Sequence, residues 1–264
     1  MRFVTLNLWG ERGPFERRMP LVAEGLRALR ADVIALQEVR EIPGRVPNMA
    51  EALAAILGMR CEWAPAMEWG GGVEGVAILT ANPMTDVVRR ELPHATEKLR
   101  RVVLCGRVQT PEGAALVATT HLHYRLEHGQ EREDQVLALD ALLCERPSEA
   151  RVLLGDLNAT PDSDEVRFLR GKTTIRGRRA FFQDAWELFH PGEPGHTWAR
   201  ENPYTADLRW LQPGRRIDYV LVSKEEPDGR AEVLSCDIAL DRATDRVFPS
   251  DHWAVCADVR ISPR

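Results

Sequence analysis

Apolar residues recur along the chain with two spacings, one typical of helices and one typical of strands. Met19, Val22, Leu26 and Leu29 lie three, four and three positions apart, which predicts the buried face of a helix. The apolar run from Val33 to Leu36 predicts a short buried strand. The first hundred residues therefore begin as strand, helix, strand, helix, strand.

A second helix places Met49, Leu53, Ile56 and Leu57 on one side and ends at Gly58. A long helix is predicted from about residue 131 to 144 and a short one near 165–169. Further strands are predicted at 76–79, 102–108, 115–120, 152–154, 217–222, 231–240 and 253–259, two of them joined as a hairpin through 111–113. Hairpins mixed with strand–helix units indicate an α/β fold in which two mixed sheets pack together with helices outside.

One segment stands apart from these patterns. Residues from Pro191 to Gly214 are rich in Pro, Gly, Trp and Arg, which predicts a binding or active-site loop or a disordered stretch. The chain shows no repeat and no linker, so we expect a single domain spanning 1–264.

Composition narrows the class of protein. The 264 residues are 44% hydrophobic and 28% charged, which excludes collagen, low-complexity disorder and a disulfide scaffold. No apolar run is long enough for a transmembrane helix. The formal charge of −5 provides no overall attraction for a polyanion, although it is compatible with a local basic groove.

The cysteines and the N-terminus indicate a cytoplasmic protein. Five scattered cysteines without a C-x-x-C pair are typical of reduced core residues. Met1-Arg2 leads directly into an alternating strand pattern, with no signal-peptide pattern before it. The oligomeric state is not defined by the sequence, and a monomer is compatible with it.

Three familiar motifs fail. Residues 170–174 resemble the end of a P-loop, but Val166 occupies the position of the required glycine. His121-Leu122-His123 begins like an H-x-H-x-D-H metal site, but Arg125 and Leu126 replace its Asp and His. No G-x-S-x-G elbow is present, so the sequence gives a serine hydrolase no support.

Polar side chains stand instead at the ends of the predicted strands. Each one alone is typical of a turn residue or a helix cap, and His121 alone is typical of a core histidine. Together they predict a site, because strand ends of a layered α/β domain converge. These residues are Asn7, Glu38, His121, Asp156, Asn158, Asp218, Asp251 and His252.

These donors restrict the chemistry. Carboxylate and amide oxygens suit a hard cation such as Mg²⁺, for which Mn²⁺ is a possible substitute. The sequence contains no Cys–His zinc cluster and no dinucleotide fingerprint. A hard cation with two histidines and several carboxylates fits phosphoester hydrolysis, which needs a positioned water and charge stabilisation at the phosphoryl oxygens.

The motifs T-L-N, L-Q-E-V, G-V-A-I-L, H-L-H, G-D-L-N, R-I-D-Y and S-D-H-W, which run in order from Asn7 to His252, resemble the endonuclease/exonuclease/phosphatase superfamily. The resemblance implies a four-layer αββα sandwich. It implies Glu38 as the principal Mg²⁺ ligand, with Asn7 and Asp251 near the ion.

The resemblance also implies catalytic roles. His252, held in its tautomer by Asp218, would be the general base or would orient the attacking water. Asp156 is the competing candidate for water activation. Asn158 and His121 would hydrogen-bond the phosphoryl oxygens. Glu74 would either buttress His121 or be a solvated turn residue.

Other histidines are left out of this set. His123, two positions after His121, is not included in the catalytic set. His94, His128 and His190 lack such a context and are assigned to the surface.

The substrate is the least defined part. A small phosphorylated substrate such as a sugar phosphate is favoured, with a DNA or RNA nuclease as the alternative and an inactive phosphate-binding homologue as a third reading. Trp198 and Tyr204 could stack on a base or sugar ring, or could simply pack the loop. Arg100, Arg101, Arg176, Arg178 and Arg179 are candidates either for phosphate contacts or for a solvated surface.

Overall fold

The chain folds into two β-sheets that pack face to face, and the computed structural model describes residues 1–95, 99–110, 113–145 and 150–262. The first sheet consists of β1 (Arg2–Asn7), β2 (Val33–Glu41), β3 (Arg60–Trp69), β4 (Gly72–Thr80), β11 (Glu232–Ala239) and β12 (Ala254–Arg260). Their spatial order is β11-β12-β1-β2-β4-β3.

The second sheet repeats this plan. It consists of β5 (Met84–Glu91), β6 (Val102–Thr110), β7 (Gly113–His121), β8 (Ala150–Asp156), β9 (Phe182–Asp184) and β10 (Asp218–Ser223), in the order β5-β6-β7-β8-β10-β9. Each sheet has one parallel pair near its centre, β1 with β2 and β7 with β8, and its other pairs are antiparallel. Both sheets are therefore mixed.

Four helices cover the outer faces: α1 (Phe15–Leu29), α2 (Met49–Leu57), α3 (Gly129–Cys144) and α4 (Asp164–Leu169). The short α5 (Ala185–Phe189) contacts both sheets, at β10 and β11, and a 3₁₀ segment spans Pro203–Leu211. The second helix is well delimited: the Asn48 side chain accepts from the N–H groups of Ala50 and Glu51, and Gly58 ends the helix in the left-handed conformation.

Three apolar clusters correspond to the three interfaces of a four-layer sandwich. Phe3, Ile78 and Val117 belong to the cluster between the two sheets. A second cluster joins α1 and α2 to the first sheet, and a third joins α3 and α4 to the second sheet. The αββα arrangement predicted from the sequence is confirmed.

Several details differ from the sequence patterns. Ile56 is 53% exposed, because Ala50 and Ala54 complete the buried face of α2 together with Met49 and Leu53. The pattern did not predict β3, β5 and β9, and the segment 191–214 contains the ordered 3₁₀ segment. The β6–β7 pairing of the predicted hairpin is present, while residues 111 and 112 lie outside the described residues.

Among the described residues, no helix is both long enough and apolar enough to cross a membrane.

Candidate active site

The two parallel strand pairs bring polar side chains to one edge of the sandwich. Asn7 is the last residue of β1, and His121 and Asp156, which are register partners, are the last residues of β7 and β8. Asn7 Nδ2 donates to Asp156 Oδ2 at 3.0 Å, so the strand ends of the two sheets meet through a buried hydrogen bond.

Glu38 reaches the same place through a β-bulge. The β2–β4 register shifts between Leu36 and Val39, and Glu38 has a φ of 50° within this shift. The strand continues to Glu41, so Glu38 does not follow the strand as the sequence suggested but is turned out of it. Asn158 has a φ of 49°, and such strained residues concentrate at functional sites.

All of these side chains except that of Asn7 line a cavity of about 430 Å³, a volume typical of small-molecule sites. Its polar floor is formed by Glu38, His121, Asp156, Asn158, Asp251 and His252. The structure thus brings together the strand-end residues that the sequence singled out.

His252 and Asp218 form a buried pair. His252 Nδ1 lies 2.8 Å from Asp218 Oδ2, and Asp218 is the first residue of β10. Burial lowers the pKa of His252, but the charges of Asp218 and Asp251 and the hydrogen bond to Asp218 outweigh it, and the pKa lies well above its ordinary value. The imidazolium form therefore prevails at neutral pH.

Two floor carboxyls hold protons more tightly than usual. Burial, aided by the charge of Asp218, raises the pKa of Asp156 to about 7. Burial, aided by the charge of Glu38, raises the pKa of Asp251 to about 6. Asp156 Oδ2 lies 3.5 Å from His121 Nε2 and 3.9 Å from His252 Nε2, so it lies close to both histidines.

At Nδ1, the ring nitrogen that faces away from Asp156, His121 contacts an arginine. Arg101 Nη1 lies 3.1 Å from His121 Nδ1, and both side chains are buried. Burial lowers the pKa of His121 well below its ordinary value, and the charge of Arg101 adds to this shift.

Glu74 occupies a different place from the one expected. It lies inside β4 rather than before it, and its Oε2 accepts a hydrogen bond of 3.0 Å from Trp69 Nε1. Its Oε1 lies 3.9 Å from Arg101 Nη1, so Glu74 contacts the arginine and does not buttress His121 directly. Burial, with the charge of Glu38, raises the pKa of Glu74 to about 7.

The two loop aromatics differ in position. Trp198 lines the cavity and donates from Nε1 to Asp251 Oδ2 at 3.3 Å. Tyr204 is not part of the lining; its ring stacks on Trp9 with centroids 4.6 Å apart and supports the wall from behind.

Apart from Arg101 and the residues of the 191–214 segment, which the sequence offered as a binding loop or a disordered stretch, the cavity wall was not predicted. It is aromatic and apolar, with three arginines, and comprises Trp9, Arg12, Met67, Trp69, Leu99, Arg101, Tyr124, Leu208, Trp210, Leu211, Arg215 and Ile217. The sequence signal for these residues is their closeness to the strand-end motifs: Trp9 stands two residues after Asn7, Tyr124 follows H-L-H, and Arg215 precedes R-I-D-Y. Trp69 precedes three glycines at a hairpin tip.

The candidate phosphate-binding arginines separate into two groups. Arg101 lines the cavity, whereas Arg176 and Arg178 pair with Asp134 and Asp140 of α3. These pairs lie outside the cavity lining, so the 176–179 group belongs to the surface of the second sheet's helical layer.

A second histidine cluster lies outside the cavity. Ligand atoms of His123, His128 and Glu131 lie within 4.8 Å of one another, and the two rings stack with centroids 4.3 Å apart. His123 Nδ1 already accepts from the Arg125 N–H, and Arg132 donates to the His123 carbonyl. These contacts disfavour a cation there and favour a packing role.

The histidines assigned to the surface are less exposed than expected. His94, His128 and His190 are half-buried. His128 is covered in part by His123, and His190 stacks on Trp186 with centroids 3.9 Å apart.

The floor of the cavity fits a divalent cation. Ligand atoms of Asp156, Asp218 and His252 lie within 4.8 Å of one another. Asp218 Oδ1 is buried without a hydrogen-bond partner among the described residues. The raised pKa values of Asp156 and Asp251 show that more positive charge would stabilise their ionised forms.

Comparison with known proteins identifies the family. The sequence profile of the Endonuclease/Exonuclease/phosphatase family matches residues 4–252. Human tyrosyl-DNA phosphodiesterase 2 is 26% identical over 176 residues, which cover 64% of this chain and 45% of that protein. The chain therefore spans less than half the length of this relative.

Solved structures share the fold. The endonuclease/exonuclease/phosphatase from Beutenbergia cavernae matches with a TM-score of 0.78 and 23% identity, over 99% of this chain and 72% of that one. The human Nocturnin catalytic domain with bound sulfate anion matches with a TM-score of 0.71 and 19% identity, over 98% and 92%.

The family profile spans every strand-end motif from Asn7 to His252, and it confirms the resemblance that those motifs indicate. The expectation of a phosphoester hydrolase is confirmed at the level of the family. The chain belongs to the Endonuclease/Exonuclease/phosphatase family, whose members hydrolyse phosphoester bonds.

Proposed function

We propose that this chain, as one catalytic domain spanning 1–264, is a Mg²⁺-dependent phosphodiesterase that cleaves a phosphoester bond next to a nucleotide. The observation that carries this proposal is a floor of buried carboxylates and histidines beneath walls of aromatic side chains. The floor suits a phosphoryl group, and the walls suit a flat apolar group attached to it.

The walls favour a nucleotide over the sugar phosphate that the sequence suggested. Sugar hydroxyls need several polar partners, whereas Trp9, Trp69, Tyr124 and Trp210 offer mainly aromatic surface. Aromatic faces stack on bases without regard to sequence. The name of the human relative, tyrosyl-DNA phosphodiesterase 2, agrees with a diester of a nucleic acid.

Glu38, Asn7 and Asp251 would hold the cation. Asn7 Oδ1 accepts one hydrogen bond, from the Trp9 N–H, and keeps its second lone pair. These oxygen donors match the preference of Mg²⁺, which keeps several of its waters. When bound, the ion would supply charge stabilisation at the phosphoryl oxygens.

The histidines and Asp156 would carry out the proton transfer and the hydrogen bonding to the phosphoryl group. Asp156, with a pKa of about 7, is suited to take a proton from the attacking water near neutral pH. His252, kept protonated by Asp218, is suited to donate to a phosphoryl oxygen. Of the two candidates for water activation, we therefore favour Asp156. Asn158 and His121 would contribute further hydrogen bonds from the same floor.

The first test is a comparison of bis-nitrophenyl and mono-nitrophenyl phosphate after removal of metal with EDTA and addition of Mg²⁺ or Mn²⁺. We expect metal-dependent release with a preference for the diester, followed by cleavage of short single-stranded oligonucleotides in preference to glucose phosphates. A preference for the monoester would instead favour a sugar phosphate as the substrate.

Two variants assign the activity to the site. Asp156→Asn should lower kcat by on the order of 10²–10⁴-fold, as expected for loss of a general base. Asp164→Asn is the control, since Asp164 is 58% exposed and pairs with Arg167 on the surface. Absence of metal-dependent release from any phosphoester would favour the inactive, phosphate-binding homologue.

A further inference from the structure

We infer that Arg101 is a positioning residue that holds His121 in the tautomer able to donate a hydrogen bond from Nε2 toward the phosphoryl group. The use of that hydrogen bond rests on the proposed function. The orientation of the ring rests only on the contact between the two side chains.

The contact allows one assignment of protons in the neutral ring. Arg101 Nη1 lies 3.1 Å from His121 Nδ1. A guanidinium has donors and no acceptor, so Nδ1 has to accept this hydrogen bond. A neutral imidazole that accepts at Nδ1 carries its hydrogen on Nε2.

The other ring nitrogen faces the catalytic floor. His121 Nε2 lies 3.5 Å from Asp156 Oδ2, and both residues line the cavity. A hydrogen on Nε2 can therefore be offered to an oxygen that binds beside Asp156. Burial and the charge of Arg101 both lower the pKa of His121, which keeps the ring neutral and makes it a donor rather than a titrating acid.

Arg101 is itself held in place. Its carbonyl accepts from the Leu92 N–H at 2.8 Å, and its Nη1 lies 3.9 Å from Glu74 Oε1. Glu74 is fixed in turn by Trp69. Glu74, which the family resemblance implies as a partner of His121, thus contacts the arginine and not the histidine itself.

A direct substrate contact is the competing account of Arg101. The residue lines the cavity, and its Nε has no hydrogen-bond partner among the described residues. Such a contact would change KM when Arg101 is replaced, but it would leave the His121 tautomer unchanged.

The test is a long-range ¹H–¹⁵N correlation spectrum of protein labelled at histidine nitrogens, with His121 assigned from the signals missing in His121→Gln. In the wild type we expect hydrogen on Nε2 and a bare Nδ1. Arg101→Met should give a mixture of tautomers or hydrogen on Nδ1, and Arg101→Lys, which keeps a charged donor, should restore the wild-type pattern.

Kinetics provide the second readout. Arg101→Met should lower kcat by on the order of 10²-fold, as expected for one misdirected transition-state donor. Arg101→Lys should retain most of the wild-type kcat. Glu74→Gln, which keeps a hydrogen-bonding side chain but removes the charge beside Arg101, should leave the tautomer unchanged.

The outcomes separate the two proposals. Hydrogen on Nδ1 in the wild type, or an unchanged tautomer in folded Arg101→Met, would overturn the inference. If the tautomer follows Arg101 but the wild type cleaves no phosphoester, the positioning of His121 stands and the proposed function fails.

Discussion

Buried carboxylates dominate the cavity floor, and the arginines and histidines around them balance their charge only in part. Burial, aided by this imbalance, raises the pKa of Asp156 to about 7 and that of Asp251 to about 6. A cation binds to the ionised carboxylates, so its binding has to displace these protons.

Mg²⁺ affinity should therefore depend on pH. Below about pH 6 both carboxyls are protonated in the folded protein, so affinity should rise as the pH increases to about 7, by up to about tenfold per unit for each proton released. Calorimetric titrations with Mg²⁺ in buffers of different ionisation enthalpy would count the protons. An affinity that is flat between pH 5.5 and 8 would contradict the assignment.

The Asp218 carboxylate holds the ring of His252 in the cavity floor, which makes its replacement informative. Asp218→Asn removes the charge that keeps His252 protonated, so kcat should fall by on the order of 10²–10³-fold. The measurement is steady-state kinetics at pH 7.5 with saturating Mg²⁺. Asp228→Asn, at an exposed ion pair, is the matched control, and equal activity of the two variants would argue against the role.

At the scale of elements, the end of β8 depends on a glycine. Gly155 has a φ of 141°, and a Cβ there would lie 2.2 Å from the Thr120 carbonyl oxygen of the neighbouring strand. Asp156 follows directly, so any shift of this residue moves the catalytic floor.

Gly155→Ala should lower the free energy of unfolding by about 3 kcal/mol, because strain and a backbone clash add together. Gly177→Ala separates the two causes, since Gly177 also has a positive φ of 74° but nothing within 4 Å of its Cβ position. For this control we expect a loss of about 1 kcal/mol in the free energy of unfolding, from backbone strain alone. Urea unfolding measures both, and equal losses would exclude the clash.

The elements also show what the sequence could predict. The helices were found because their buried faces keep a regular spacing, as in α1. The undetected strands β3, β5 and β9 are edge strands, where mixed polar and apolar residues face solvent and give no clear alternation. The strand-end carboxylates and histidines were found because they follow apolar runs directly.

The cavity walls could not be predicted in the same way. Trp9, Trp69 and Trp210 come from segments far apart in the chain, and only the packing of the two sheets brings them to one cavity. Arg101 was named as a candidate for phosphate contact or for the surface, but its contact with His121 depends on tertiary structure. The single-domain reading stays a prediction.

At the scale of the whole molecule, a short polar bridge fixes the two sheets relative to each other. Thr5 Oγ1 donates to Gln37 Oε1, and Gln37 Nε2 donates to Thr119 Oγ1 at 3.0 Å, so the bridge links β2 to β7. The three side chains are fully buried between the sheets. Asn7 and Glu38 lie on the first sheet and His121 and Asp156 on the second, so the bridge also aligns the two halves of the site.

Gln37→Met should lower the free energy of unfolding by about 1–3 kcal/mol, because the hydroxyls of Thr5 and Thr119 lose their shared partner. The triple replacement Thr5→Val, Gln37→Met, Thr119→Val should recover part of this loss, since no buried polar group remains unpaired. Urea unfolding of the three proteins tests this. A triple variant less stable than the single one would show that the bridge acts by packing alone.

The tryptophans of the cavity walls make the intrinsic fluorescence of the protein a reporter of binding. Four of its seven tryptophans (Trp9, Trp69, Trp198 and Trp210) line the cavity, and Trp198 also hydrogen-bonds Asp251. Intrinsic fluorescence should therefore change in two separable steps, first when a cation alters the surroundings of Trp198 and again when a base stacks against the other indoles. Unlabelled protein can thus report cation and nucleotide binding separately, before any bond is cleaved.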